Sequence, residues 1–202
     1  MFQVDQKFLN FSLEVYLPEK DEAGRLTSKD FSGKWVALVF YPADFTFVCP
    51  TELADLNKLY PEFKKLGAEV ISVSTDTVFT HKAWLEVEEL LQGINYPMAA
   101  DHNGKFSREL GIYDEKKGMA QRATFIVDPE GVLRAVDIVA DAIGRSAHEV
   151  LRKLKALDFV AKNPGKVCPA SWEELGTLEP SVKKAGKVYK EFGQNLRVPR
   201  TK

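Results

Sequence analysis

From Trp35 to Tyr41 the chain is apolar without a break, in the stretch Lys34-Trp35-Val36-Ala37-Leu38-Val39-Phe40-Tyr41-Pro42. A strand with one wet face alternates apolar and polar residues, because successive side chains point to opposite sides. A continuous run instead marks a central strand covered on both faces. Such a strand requires a layered domain in which other elements close over each side of a sheet.

The rest of the chain supplies those layers. Residues 49–66 carry Leu53, Leu56, Tyr60 and Phe63, spaced to fall on one helix face, and Lys64, Lys65 and Gly67 end the helix. Residues 68–74 read as a second buried strand, and a helix is expected over 81–91. A short strand at 97–100 and a helix over 106–110 follow. Residues 124–127 and 132–138 are β-rich runs joined by Asp128-Pro129-Glu130-Gly131, whose residue types suit a hairpin turn. Ser146 is placed to cap a helix reaching about 161, broken by Asn163-Pro164-Gly165. The segment before Lys34 reads as amphipathic. The order β-α-β-α-β-α-β-β-α predicts an α/β domain with a central mixed sheet and helices on both faces. The expected division is a domain over 1–161 and an extension over 162–202.

The 28 basic and 29 acidic side chains give a net charge of −1, so no global field steers the chain to nucleic acid or anionic lipid. Met1-Phe2-Gln3-Val4-Asp5-Gln6 lacks the basic start and apolar run of a signal peptide. No stretch approaches the ~20 apolar residues of a spanning helix. The chain is therefore expected in the cytoplasm, with neither a membrane nor a nucleic-acid partner. In that compartment the two cysteines point to catalysis or redox sensing rather than to a static staple.

Cys49 follows the central strand after a polar connection and precedes Pro50, which suits the first turn of a helix. Backbone N–H groups without partners and the positive dipole end lie there, and both favour thiolate over thiol. Glu52 opposes this by its charge, yet suits a first turn and can orient nearby donors. On location alone, an inert buried cysteine among Phe45, Phe47 and Val48 is an even alternative. Cys49-Pro50-Thr51-Glu52 is not a Cys-x-x-Cys dithiol motif. The second cysteine stands far along the chain, and both occupy the same tripeptide, Val48-Cys49-Pro50 and Val167-Cys168-Pro169.

The stretch Phe40-Tyr41-Pro42-Ala43-Asp44-Phe45-Thr46-Phe47-Val48-Cys49-Pro50-Thr51-Glu52 resembles the active-site signature of peroxiredoxins. Val167-Cys168-Pro169-Ala170-Ser171-Trp172 resembles the resolving segment of the typical two-cysteine subgroup. Gln121-Arg122-Ala123-Thr124-Phe125-Ile126-Val127-Asp128 is similar to the arginine-bearing strand of that family. The likeness covers roughly residues 5 to 175. It implies a thioredoxin-like fold and a thiol-dependent peroxidase acting on hydrogen peroxide and organic hydroperoxides. Cys49 would become a sulfenic acid, Cys168 of a partner subunit would resolve it as a disulfide, and a thioredoxin-like or flavoprotein reductant would recycle both. Thr46 would offer its hydroxyl to thiolate or peroxide. Arg122 would hold the thiolate and polarise the peroxide, and Pro42 would shield the sulfur. The likeness also implies a homodimer assembling into a decamer. Its peroxide-sensitive members carry a Gly-Gly-Leu-Gly motif and a C-terminal Tyr-Phe pair. Here the first region reads Leu90-Leu91-Gln92-Gly93-Ile94-Asn95-Tyr96, and Tyr189 and Phe192 are not adjacent.

No cofactor or metal is expected. His81, His102 and His148 are widely spaced and read as surface or packing residues, and no glycine-rich dinucleotide fingerprint follows the first strand. Two other classes stand beside the peroxidase: a thioredoxin-like redox relay, opposed by the absent Cys-x-x-Cys, and a ring-forming holdase chaperone. Insulin reduction would reveal the first, and aggregation suppression by a Cys49→Ser chain the second.

Overall fold

The structure, a computed structural model, describes residues 2–174 and 176–188. The chain divides into two compact units, Met1–Leu151 and Arg152–Lys202. The first is built on a seven-stranded mixed sheet ordered β2-β1-β5-β4-β3-β8-β9. Its central strand is β3 (Trp35–Phe40), buried at all six positions. It pairs parallel to β4 (Ala68–Ser74) and antiparallel to β8 (Arg122–Val127), also buried throughout. β5 (Met98–Ala100) extends the sheet parallel to β4, and β9 (Leu133–Val139) closes the far edge as the hairpin partner of β8.

One face of the sheet holds Val36, Leu38, Phe40, Ile71, Val73, Ala99, Phe125 and Val127, packed with Phe31 and Phe106. Burying side chains of this size stabilises the fold by about 1.5–3 kcal/mol each. α1 (Cys49–Lys65) lies against β4. The four positions read as its apolar face, Leu53, Leu56, Tyr60 and Phe63, are all buried. α2 (Val78–Val87) begins three residues before the expected start, because Thr77 accepts the Thr80 N–H at 3.2 Å as its cap. α3 (Lys105–Glu109) is a single short turn, and β6 (Tyr113–Asp114) and β7 (Met119–Ala120) form a minimal hairpin after it.

The amphipathic N-terminal segment is a hairpin of β1 (Ser12–Leu17) and β2 (Glu22–Thr27), with β1 antiparallel to β5. β2 is an edge strand with no fully buried residue, so its sequence lacks the alternation that marks a strand. The β8–β9 turn forms where its residue types predict. The Asp128 carboxylate accepts the N–H groups of Glu130 and Val132, and Gly131 takes the left-handed φ of 75° that closes it.

α4 (Ala147–Lys162) ends at Asn163, whose side-chain amide donates to the Phe159 carbonyl at 2.8 Å. Within the second unit, Val167 and Leu178 exchange backbone hydrogen bonds and Trp172 packs on Phe159 with ring centroids 5.1 Å apart. Among the described residues no helix is long and apolar enough to cross a membrane.

Candidate active site

The topology delivers three segments to one point. β3 ends at Phe40, and the chain runs through residues 41–48 to the start of α1. Antiparallel pairing of Phe40 with Ala123 sets Arg122 just beyond the end of β3. β9 returns to the same end, with Val139 opposite Arg122, and residues 140–146 pass over the first turn of α1. Gly144 permits that close passage, since a Cβ there would meet Val48 Cγ1 at 3.3 Å.

Cys49 is the first residue of α1 and is fully buried. Val48 is the N-cap and offers no side-chain cap. Arg122, 4% exposed, donates from Nη1 to Cys49 Sγ at 3.2 Å and to Glu52 Oε2 at 2.9 Å. Its Nε donates to the Asp141 carbonyl at 2.8 Å, which fixes the plane of the guanidinium. A second arginine, Arg145, completes the cluster. It donates to Glu52 from its backbone N–H at 2.7 Å, from Nε at 2.9 Å and from Nη2 at 3.0 Å. It also reaches the Phe40 carbonyl and the Thr124 hydroxyl. Burial works to raise the Glu52 carboxyl, but the hydrogen bonds and charge of Arg145, with the charge of Arg122, outweigh it and hold it below the ordinary range. Glu52 therefore stays a carboxylate, and two buried cations have one shared anion.

The loop before Cys49 is tied down separately. Tyr41 donates to Asp44 Oδ1 at 2.7 Å, and Asp44 Oδ2 faces His81 Nδ1 at 2.7 Å. The Asp44 N–H donates to Asp76 at 2.8 Å. Burial pushes the Asp44 carboxyl up, against the His81 bond and charge that pull it down. Phe45 has a φ of 56°, a conformation that strains a bulky side chain by roughly 1–3 kcal/mol. Phe47 stands 94% exposed and Phe45 56% exposed, so these are not the core neighbours that the inert reading of Cys49 requires.

Of the residues singled out in the sequence, Cys49 and Arg122 are in contact. Thr46 and Pro42 lie on the same loop. Pro42 is buried, and Thr46 donates its hydroxyl proton to the Ala43 carbonyl at 2.9 Å. Cys168 belongs to the second unit, half-buried, with Sγ 3.8 Å from the Ala156 carbonyl. Both cysteines are free thiols. Tyr189 and Phe192 lie outside the described residues. Sequence reasoning did not pick out Arg145, and it set His81 aside with the packing histidines.

The geometry agrees with what the chain resembles among known proteins. Residues 4–136 match the model of the AhpC/TSA family, and the chain belongs to that family. It is 47% identical over 189 residues to alkyl hydroperoxide reductase C of Staphylococcus aureus, covering 93% of this chain and 100% of that protein. The crystal structure of Enterococcus faecalis AhpC is similar with a TM-score of 0.79 at 46% identity, over 84% of this chain and 100% of the other. The reduced 2-Cys peroxiredoxin of Plasmodium vivax gives a TM-score of 0.86 at 29% identity, over 91% and 96%. The mixed sheet flanked by helices is thus the thioredoxin fold of the peroxiredoxins.

Proposed function

We propose that this peroxiredoxin reduces hydrogen peroxide and organic hydroperoxides through Cys49, with Cys168 of a partner subunit as the resolving thiol. The observation that carries the reading is the 3.2 Å contact from Arg122 Nη1 to the buried Cys49 sulfur at the first residue of α1. A thiolate at this position has a fixed cation beside it and stands at the positive dipole end of α1, both of which stabilise negative charge. The thiolate attacks one peroxide oxygen, the O–O bond breaks, and the departing oxygen leaves as an anion that takes up a proton to become water or alcohol. Arg122 is the donor suited to that developing charge. Glu52 and Arg145 keep Arg122 from turning away. Thr46 serves by rotating its hydroxyl from the Ala43 carbonyl toward sulfur or peroxide, and Pro42 by keeping water from the sulfenic acid.

Cys168 then attacks the Cys49 sulfenic sulfur, forming the disulfide and releasing water. An external dithiol reductant, thioredoxin-like or a flavoprotein, restores both thiols by exchange. Assembly as a homodimer, and from it a decamer, is supported by the open edge of β9 with Ile138 exposed, and by exposed Phe47 and Phe79. The extension carrying Cys168 is taken to begin at residue 162, the last of α4, and the protein to work in the cytoplasm.

Stopped-flow mixing with one equivalent of peroxide tests the chemistry. Cys49→Ser is expected to abolish turnover, while Cys168→Ser keeps one rapid oxidation and loses recycling by a dithiol reductant. Wild-type turnover by Cys49→Ser would overturn the assignment.

A further inference from the structure

Two ring nitrogens of one buried histidine face acceptors, next to the loop that carries the reactive cysteine. His81, on α2, is fully buried. Its Nε2 lies 3.2 Å from the Ala99 carbonyl of β5, an atom that only accepts, so Nε2 carries a proton. Its Nδ1 lies 2.7 Å from Asp44 Oδ2, and a contact that short between buried polar atoms also needs a proton. The pair therefore holds two protons. With only one, a carboxylate would face a nitrogen lone pair, or a carbonyl would face one across the ring.

We propose that His81, Asp44 and Tyr41 form a proton-held latch that keeps the loop before Cys49 folded, so that His81 is a positioning residue governing the fate of oxidised Cys49.

The groups facing the latch come from four sides. Tyr41, just past the end of β3, donates to Asp44 Oδ1. Asp76, following β4, accepts the Asp44 N–H and the Ser74 hydroxyl. β5 presents the Ala99 carbonyl. On α2 itself, Lys82 pairs with Asp21 and Glu86. Asp44 and Asp76 are held side by side, and an opened latch leaves these two neighbouring carboxyl groups to repel each other. The loop has a reason to move once released, because Phe45, directly after Asp44, holds a left-handed φ that its side chain disfavours.

The consequence rests on the peroxidase reading above. A Cys49 sulfenic acid has two fates. Attack by Cys168 gives the disulfide and water, while attack on a second hydroperoxide gives sulfinic acid and water or alcohol. Cys49 is fully buried in the latched state, so its sulfur must leave that position to meet another cysteine. A closed latch prolongs exposure to the second peroxide, and an open one favours the disulfide.

Variants of the full chain test this by intact-mass measurement of the sulfinic-to-disulfide ratio after turnover with peroxide and reductant. In His81→Asn the side-chain amide stands where Nδ1 stood and still donates to Asp44; this variant keeps the wild-type ratio. His81→Gln keeps the donor toward Ala99 but loses Asp44. It is expected to lower the ratio roughly tenfold, the effect of losing one buried hydrogen bond to a charged group. A histidine that merely anchors α2 to β5 gives the reverse order, with His81→Gln mild and His81→Asn altered. That reverse order overturns the latch, as does an equal response. Tyr41→Phe, which removes one hydroxyl, covers the case in which His81 variants do not fold. It should lower the ratio, and an unchanged ratio in a folded Tyr41→Phe chain overturns the proposal. A wild-type chain that forms no oxidised Cys49 overturns the peroxidase reading itself, which shows before any variant is made.

Discussion

At Glu52 two guanidinium groups meet one carboxylate inside the protein. Removing that charge leaves Arg122 and Arg145 buried and facing each other, and breaking a buried pair in this way costs about 3–5 kcal/mol. Glu52→Gln is therefore expected to lower the unfolding free energy by that order, read from urea unfolding curves. The effect has a definite pH dependence. The folded carboxyl sits below its unfolded value of about 4.3. Its stabilisation is thus complete above that pH and disappears as pH falls through the folded value. Unfolding curves of wild type and Glu52→Gln should accordingly converge in acid; a gap that persists at low pH would remove the ion-pair explanation. Arg122→Lys keeps the charge but replaces a planar fork with a single ammonium, which cannot serve Cys49, Glu52 and the Asp141 carbonyl together. Oxidation of Cys49 should slow by about 10²–10³-fold, the loss typical of one preorganised donor. Stopped-flow rates close to wild type would show that the fork is not needed. Cys49 and Arg122 were legible because each stands in a distinctive local run. Arg145 was not, because its partner Glu52 is 93 residues away and a lone arginine after a glycine carries no local signal. His81 was unreadable for the same reason: its meaning lies in Asp44 and the Ala99 carbonyl.

The elements read best were those whose burial is one-sided or complete. β3, β4, α1 and the β8–β9 turn follow from apolar runs, a helical period and turn residues, and all form as expected. The hairpin of β1 and β2 escaped because Glu22–Thr27 is mostly wet, so pairing with β1 rather than side-chain pattern makes it a strand. In the second unit the short bridge between Val167 and Leu178 holds the segment bearing Cys168. Burial pushes the Cys168 thiol up, with the charge of Arg152 opposing. At neutral pH this cysteine is a thiol, whereas disulfide formation needs the thiolate. The resolving phase should quicken about tenfold per pH unit and go on rising past ~8.5, where an ordinary thiol levels off. Stopped-flow traces between pH 7 and 10 measure it directly. A phase that levels below ~8 would mean that Cys168 is not the attacking group or leaves this environment before it reacts.

At the scale of the whole molecule, the two cysteines belong to different compact units, Met1–Leu151 and Arg152–Lys202. A disulfide between them can join two parts of one chain or two chains; the proposed cycle takes the second, with β9 an edge strand that leaves Ile138 exposed. The two cases separate cleanly by mixing inactive halves. Cys49→Ser chains keep Cys168, and Cys168→Ser chains keep Cys49. Neither can form the mixed bridge within itself. If the bridge joins subunits, subunit exchange between the two variants creates one competent Cys49–Cys168 pair per mixed dimer. One equivalent of peroxide should then yield a covalent dimer on a non-reducing denaturing gel, which a dithiol reductant returns to monomer. Wild type treated likewise should run as a dimer with both thiols lost. If wild type instead stays monomeric while both thiols disappear, and the mixture yields no bridge after exchange, each chain closes on itself. The partner-subunit half of the proposed cycle would then fall, with the chemistry at Cys49 untouched.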